Sequence, residues 1–417
     1  MKFTFIANAC GIFTGSNGTK ILTDPWLDDG VFEGSWCHYP PLKTSHKDLQ
    51  NVDAIYLSHI HPDHYDERFF DYPKNIPIFI LENKYDFLGK NLKVKGYQKV
   101  IPLESGKPYH FKENIITIYS PFTSNVFHES NLGNLIDSAI VIEDIDGTSA
   151  FNANDNTPTI ETCEILKSKY KSFDLAMINY NAAGPYPSCL RSFTKNEKID
   201  AHHNVLKRNI EHLIKCCDIL NPKIILPFAG SYVIGGKEYE KNSYLGTTTL
   251  DNCANEIRKF SKHNVLTLRE GDTYDLSLCE VDKPYQPIDI NLQNLYINTK
   301  LSKIKYPYEL LPAVDQEQLN EKVKIALDAL SRRIIKYKLN VKSKIKVFTD
   351  NNCWLINSGD SLFGVELNFF LDERLLNRIL DRCSHWNNAE IGCHIEFERK
   401  PNIYEIDAHT MMQFFHC

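Results

Sequence analysis

Residues 54–66 read AIYLSHIHPDHYD, a short apolar run that stops abruptly at three histidines and an aspartate within six positions. The run is too short for a helix and is apolar on both faces, so it reads as a buried strand. His59, His61, Asp63 and His64 then emerge at its end, where a rigid element aims ligands better than a mobile loop does. Imidazoles two positions apart in an extended turn can converge on one cation, and a carboxylate with a third imidazole in the next turn can reach a second. The alternative is a polar loop with coincidental histidines.

The surrounding pattern supports a layered α/β chain. From Lys2 to Thr273, β-rich runs bounded by Gly, Asn, Asp or Pro recur: FTFIA, KILTD, DAIYLSH, PIFIL, NIITIYS, SAIVIED, TSAFNAN, FDLAMINY, KIILPFAG and NVLTLRE. Helical periodicity appears at Thr159–Tyr170, Asn204–Leu220 and Leu250–His263. Beyond Glu270 a connector dotted with Pro284, Pro287, Pro307 and Pro312 places a boundary near residue 280, giving a metal-binding domain over 1–280 and an α+β extension over 281–417 packed on it. In the extension, Asp315 caps a helix with Leu319, Val323, Leu327, Leu330 and Ile334 on one face. Two strands, a helix over Asp372–Cys383 and a strand over Ile391–Arg399 follow, with His394 solvated or structural.

Composition limits the partners. The chain has 417 residues, 42% of them hydrophobic and 24% charged, with a formal charge of -6. These are globular values and provide no basic field for a nucleic-acid backbone, so a small-molecule substrate is expected. No stretch is long enough to span a bilayer, and the apolar start is interrupted at Asn8, unlike a secretory leader. The twelve cysteines contain no C-x-x-C spacing, which suits reduced thiols and a cytoplasmic location.

HIHPDH matches the H-x-H-x-D-H signature of the metallo-β-lactamase superfamily, and the chain resembles that superfamily. The resemblance implies an αββα sandwich with metals at one edge between two sheets. KILTDPWLDDG resembles the family's N-terminal strand and aspartate turn, implying that Asp24 supports the ligands from behind. A third histidine for the first metal is assigned by order to His128 in TSNVFHES, since His110 sits in a Lys-rich surface strand. Asp155 in SAFNANDNTP stands where the bridging carboxylate is expected, with a plain Asx turn as the alternative. The final histidine of most relatives is replaced by Ala229 in KIILPFAGSY, so a second metal is lost or recruits His202 or His203.

FEGSWCHYPPL, NYNAAGPYPSC, ILPFAGSY and HWNNAEIGCHIEFERKP narrow the resemblance to the branch containing the metallo-β-lactamase part of CMP-N-acetylneuraminate hydroxylase. More distantly the chain is similar to L-ascorbate-6-phosphate lactonase and to the phospholipase D acting on N-acyl-phosphatidylethanolamine. A Rieske cluster requires Cys-x-His and a later Cys-x-x-His, and the chain does not hold that pair of motifs. The resemblance implies a hydrolase in which His59, His61 and His128 hold one divalent metal, with Asp63, His64 and Asp155 on a second or on the nucleophile. Asp63 would accept the water's proton if one metal is present. Zinc, iron and manganese all suit these ligands. An iron oxygenase on a nucleotide sugar, fed by a redox partner, and a non-catalytic metal-binding module stay open. In INYNAAGPYPSCLRSF, Tyr180, Asn181, Tyr186 and Arg191 face either a substrate or the tail.

Overall fold

The computed structural model describes residues 1–71, 75–84, 86–122 and 136–417. His128 lies outside the described residues. Two sheets face each other. The first runs in the order Glu280–Val281, Thr273–Asp275, Lys2–Ala7, Cys10–Thr14, Lys20–Thr23, Ala54–Tyr56, Ile78–Leu81, Val100–Leu103. The second runs Ile224–Pro227, Leu175–Ile178, Ser149–Asn152, Ala139–Asp144, Asn114–Tyr119, Tyr109–Phe111.

Three apolar layers explain the stacking. Between the sheets, Phe3, Phe13, Ile21, Tyr56 and Phe79 meet Ile116, Ile140, Met177 and Leu226. On the outer face of the second sheet, Val141, Phe151 and Ile225 pack under the helices Ile160–Tyr170, Lys195–Leu220 and Leu250–Phe260 through Cys163, Leu213 and Ile257. On the outer face of the first, Leu22, Ile55 and Ile80 cover Leu92 of the helix Phe87–Val94. Strands apolar on both faces therefore produce the expected αββα sandwich.

The C-terminal part builds a four-stranded sheet in the order Cys353–Asn357, Lys344–Phe348, Glu366–Phe370, Glu396–Lys400. The helix Gln316–Tyr337, with Asp315 accepting from the Gln318 amide, lays Leu319, Val323 and Leu330 on it as its stripe requires. That core also takes in Trp26, Phe32, Trp36 and Tyr232, so it is continuous with residues that precede the connector.

Three expectations need correction. NVLTLRE forms no strand beyond an isolated bridge of Ile225 with Val265. It crosses from the edge of the second sheet to the first, with Leu266 and Leu268 dropping into the core between them, and so cannot hold register with either. The connector contains a helix, Ile290–Thr299, capped by Asp289. Leu292 and Leu295 on that helix are exposed, which is why no apolar stripe announces it. The last strand begins at Glu396 rather than Ile391, because residues up to Ile391 complete a short helix, Trp386–Ile391.

His394 follows that helix and is buried rather than solvated. Its Nε2 donates to the Phe32 carbonyl at 2.8 Å and its Nδ1 accepts from the Tyr308 hydroxyl at 3.0 Å, so the ring is neutral. Burial pulls its pKa down to about 3, and burial does the same to His38, also to about 3. The unfolded chain takes up these two protons as pH falls through the ordinary histidine range, whereas the folded chain does not. Stability is therefore expected to fall below pH 6.5 and down to about 4, by about 1 kcal/mol per pH unit for each ring. Urea midpoints across that range check this, and the slope should be shallower in His394→Asn; a flat profile would contradict it.

Candidate metal centre

The histidine cluster lies where the strand Ala54–Tyr56 ends, at the same edge as Asp24, which follows the parallel strand Lys20–Thr23. Across the gap, Asp155 follows Ser149–Asn152, and Asp137 precedes Ala139–Asp144, the antiparallel neighbour of that strand. The Ser138 hydroxyl donates to the Ser58 carbonyl at 2.7 Å and is 2.8 Å from the Tyr56 hydroxyl, which ties the two sheets together there. Asp63 and His64 are turned inward by a tight turn in which the amides of His64 and Tyr65 donate to the His61 carbonyl. The Asp155 loop is an Asx turn, with the Asn154 amide donating to Asn152 Oδ1 at 3.0 Å. The turn and the inward carboxylate coexist.

Two groups of converging ligand atoms result among the described residues: His59, His64 and Asp155, and His59, His61 and Asp137. His59 Nε2 stands 2.9 Å from His61 Nδ1, 3.8 Å from Asp137 Oδ1 and 3.9 Å from Asp155 Oδ2. His64 Nε2 is buried without a hydrogen bond, facing Asp63 Oδ2 at 3.4 Å and Asp155 Oδ1 at 3.5 Å. Two ligands bound tetrahedrally at about 2.0–2.1 Å stand about 3.3–3.4 Å apart, so the 3.4 and 3.5 Å separations at His64 Nε2 fit ligands of a shared ion, whereas His59 Nε2 and His61 Nδ1 stand at hydrogen-bond distance. Because one nitrogen serves one ion, the two groups overlap at His59.

The supporting contacts set the proton positions. Asp24 is fully buried and accepts from the Ser58 amide and hydroxyl, each at 2.7 Å, while its Oδ2 lies 3.0 Å from His64 Nδ1. The Ser58 proton is thus committed to Asp24, and His59 Nδ1, 3.0 Å from Ser58 Oγ, must donate. That leaves a lone pair on His59 Nε2, and the Asp24 bond to Nδ1 would leave one on His64 Nε2 once a metal has displaced its proton. Burial, then His64 and His61, push the His59 pKa well below the ordinary range, keeping it neutral as a ligand must be. Burial opposes charge on His64 too, but Asp63, then Asp155 and Asp24, outweigh it and hold its pKa well up, so in the metal-free chain Nε2 carries a proton that a divalent ion at this anionic spot would displace. The donor set fits one or two divalent ions.

Four contributors gave little sign of their part. Asp137 opens a strand like any turn aspartate. Ser58 precedes the motif without a ligand's chemistry. Asn8, in the turn after Lys2–Ala7, donates to Asp63 Oδ2 at 3.0 Å and accepts from the amides of Gly230 and Ser231. Asn387, in the segment HWNNAEIG, places Oδ1 2.9 Å from His61 Nε2.

Ala229 is buried in the left-handed region at φ 60°, its methyl in the core between the sheets. The loop that carries it acts on the centre through Asn8 instead. His202 directs Nδ1 to the Leu245 carbonyl and His203 is exposed, and neither joins the converging groups among the described residues. His110 is exposed on Tyr109–Phe111. Tyr180 is 3.0 Å from the Ser231 hydroxyl, and Asn181 staples Gly230 and Thr248. Tyr186 is partly exposed; Arg191 pairs with Glu396 at 3.4 Å and lies over the Phe370 ring at 4.1 Å. Beside His59 a shallow recess is lined by Ile60, Leu81, Asn83, Phe87 and Ile136. No helix among the described residues is long and apolar enough to cross a membrane.

Residues 2–147 match the family model described as a beta-lactamase superfamily domain. A Rieske 2Fe-2S iron-sulfur protein of Mycolicibacterium smegmatis is 27% identical over 197 residues, 45% of this chain and 35% of that protein. The cytidine monophosphate-N-acetylneuraminic acid hydroxylase of Xenopus laevis is 23% identical over 341 residues, 78% of this chain and 53% of that protein. The chain thus spans about a third to about half the length of these relatives. The crystal structure of an isothiocyanate hydrolase from Delia radicum gut bacteria aligns with a TM-score of 0.47 and 18% identity, over 66% of this chain and 99% of that one.

Proposed function

We propose, from the match of residues 2–147 to the family model described as a beta-lactamase superfamily domain, that this chain is a metal-dependent hydrolase acting on a small polar substrate such as a phosphodiester, lactone, amide or nucleotide sugar. The observation that carries this reading is the convergence of His59 Nε2, His64 Nε2 and Asp155, with His64 Nε2 buried and without a hydrogen bond. A divalent ion held there would lower the pKa of a bound water and polarise the bond under attack. The chain's own groups do the rest. Asp24 and Ser58 hold the two imidazoles by Nδ1 so that both Nε2 atoms face inward, and Asn8 holds Asp63 in place through Oδ2. The Asp63 carboxylate is then positioned to take the water's proton. Beside His59, Ile60, Phe87 and Ile136 give the recess an apolar side.

A second reading, an iron-dependent hydroxylase supplied with electrons by a redox partner, draws support from the alignment over 78% of this chain with a protein named as a hydroxylase. Its donors, imidazole and carboxylate without thiolate, suit iron as well as zinc or manganese. Cys383-Ser384-His385 has the first Rieske spacing, but no Cys-x-x-His follows it, so electrons for that reaction need a donor other than residues 1–417.

Protein purified without added metal separates the two readings. Hydrolysis predicts turnover of at least one member of an ester, lactone, amide and phosphodiester panel without oxygen uptake. Near-stoichiometric iron with oxygen consumption and no turnover of that panel would sink the hydrolase reading.

A further inference from the structure

We propose that Asn387, carried on the C-terminal part of the chain, is a positioning residue that sets the tautomer of His61 and thereby governs how tightly the centre holds a divalent cation. The inference rests on the metal-site reading above and adds a contributor 326 positions away in sequence from the ligand it controls.

His61 has a partner on each nitrogen. Its Nε2 lies 2.9 Å from Asn387 Oδ1 and its Nδ1 lies 2.9 Å from His59 Nε2. An amide oxygen only accepts, so the imidazole proton belongs on Nε2 and the Nδ1 lone pair faces His59. His59 Nε2 also presents a lone pair, since its Nδ1 proton goes to Ser58 Oγ. Two nitrogen lone pairs this close repel unless a cation lies between their directions, so the arrangement is set for a positive charge. Without the Asn387 oxygen, His61 is free to move its proton to Nδ1 and donate it to His59. The two ligands would then satisfy each other, and a metal would have to break that hydrogen bond before binding.

The segment that carries Asn387 is built to hold it still. It lies in the helix Trp386–Ile391, whose Trp386 is buried at one end and whose Ile391 carbonyl accepts from Trp36 Nε1 at 3.2 Å at the other. Glu390 Oε1 is 3.0 Å from His409 Nδ1. Directly after the helix, Gly392 lets the chain press against the loop of Phe32: a Cβ there would stand 2.7 Å from the Phe32 carbonyl oxygen. The C-terminal part thus reaches the centre by a fixed strut, and the histidine motif alone is an incomplete site.

Cobalt(II) binding to the full chain, followed by its visible absorption and by competition with a chelator, tests this. Asn387→Ala is expected to weaken cobalt about 10- to 100-fold, the usual cost of losing a ligand's supporting hydrogen bond. Asn387→Asp, which can only accept, is expected to stay within about 3-fold of the parent on the same scale. Melting of the metal-free Asn387→Ala protein should be unchanged, and the substitution should have no further effect once His61 is replaced by Ala. If the parent binds cobalt and Asn387→Ala binds it equally well, the inference fails while the metal reading stands. It also fails if Asn387→Asp is as weak as Asn387→Ala. A parent that binds no cobalt sinks the metal reading and this inference with it.

Discussion

His59→Ala is expected to empty the centre and to lower turnover by about 10³-fold or more, since the metal is what brings a water's pKa from 15.7 to about 7. No other side chain belongs to both groups of converging ligands, so its loss breaks either arrangement at once. His61→Ala or Asp155→Ala, by contrast, disrupts one group and leaves the other intact. Elemental analysis after purification and kinetics on whichever substrate the panel identifies check the prediction. Stoichiometric metal in His59→Ala would mean the ion sits elsewhere. In the metal-free state the substitution gives up the contacts of a neutral buried ring with Ser58, His61 and His64, so its cost in stability should be smaller than that of breaking a buried charged cluster.

The reverse balance is expected at Asp24. This carboxylate is fully buried, and burial raises its pKa against the lowering by His64 and Ser58. Asp24→Ala would leave the Ser58 amide and hydroxyl and His64 Nδ1 without their acceptor in a site closed to water. Breaking such a buried charged cluster from one side costs about 3–5 kcal/mol, because the partners stay buried and unmatched. Asp24→Asn keeps the shape and one acceptor oxygen, so its loss should be smaller. Urea unfolding of metal-free protein measures both. An Asp24→Ala midpoint equal to the parent's would show that water or a neighbour takes over the bonds. Metal affinity should fall in both variants, since neither holds the His64 tautomer as the carboxylate does.

These two residues illustrate what could be read in advance. His59, His61, Asp63 and His64 are neighbours in the chain, and a strand followed by a tight turn is enough to bring them to one place. Asp24 and Asp155 follow strands whose apolar runs are unmistakable, so their arrival at the same edge follows from strands lying side by side with matched ends. Where local pattern and tertiary demand diverge, reading fails. NVLTLRE has a strand's composition yet has to bridge two sheets. The helix Ile290–Thr299 has no apolar stripe because it buries little beyond Ile297.

The local chemistry of the HIHPDH cluster, the α/β layering and the Asx turn that presents Asp155 were therefore determined by the sequence by itself. They depend on contacts between residues a few positions apart or on the periodicity of single elements. Only the tertiary structure decided that Asp137 faces His59, that Asn8 ties Asp63 to the loop beyond Ala229, and that Asn387 meets His61. Those partners are aspartates and asparagines with nothing distinctive about their neighbours in the chain, and they become specific through packing alone: the Phe32 and Trp36 loop fitting against the helix Trp386–Ile391 places an amide oxygen to within hydrogen-bond distance of an imidazole.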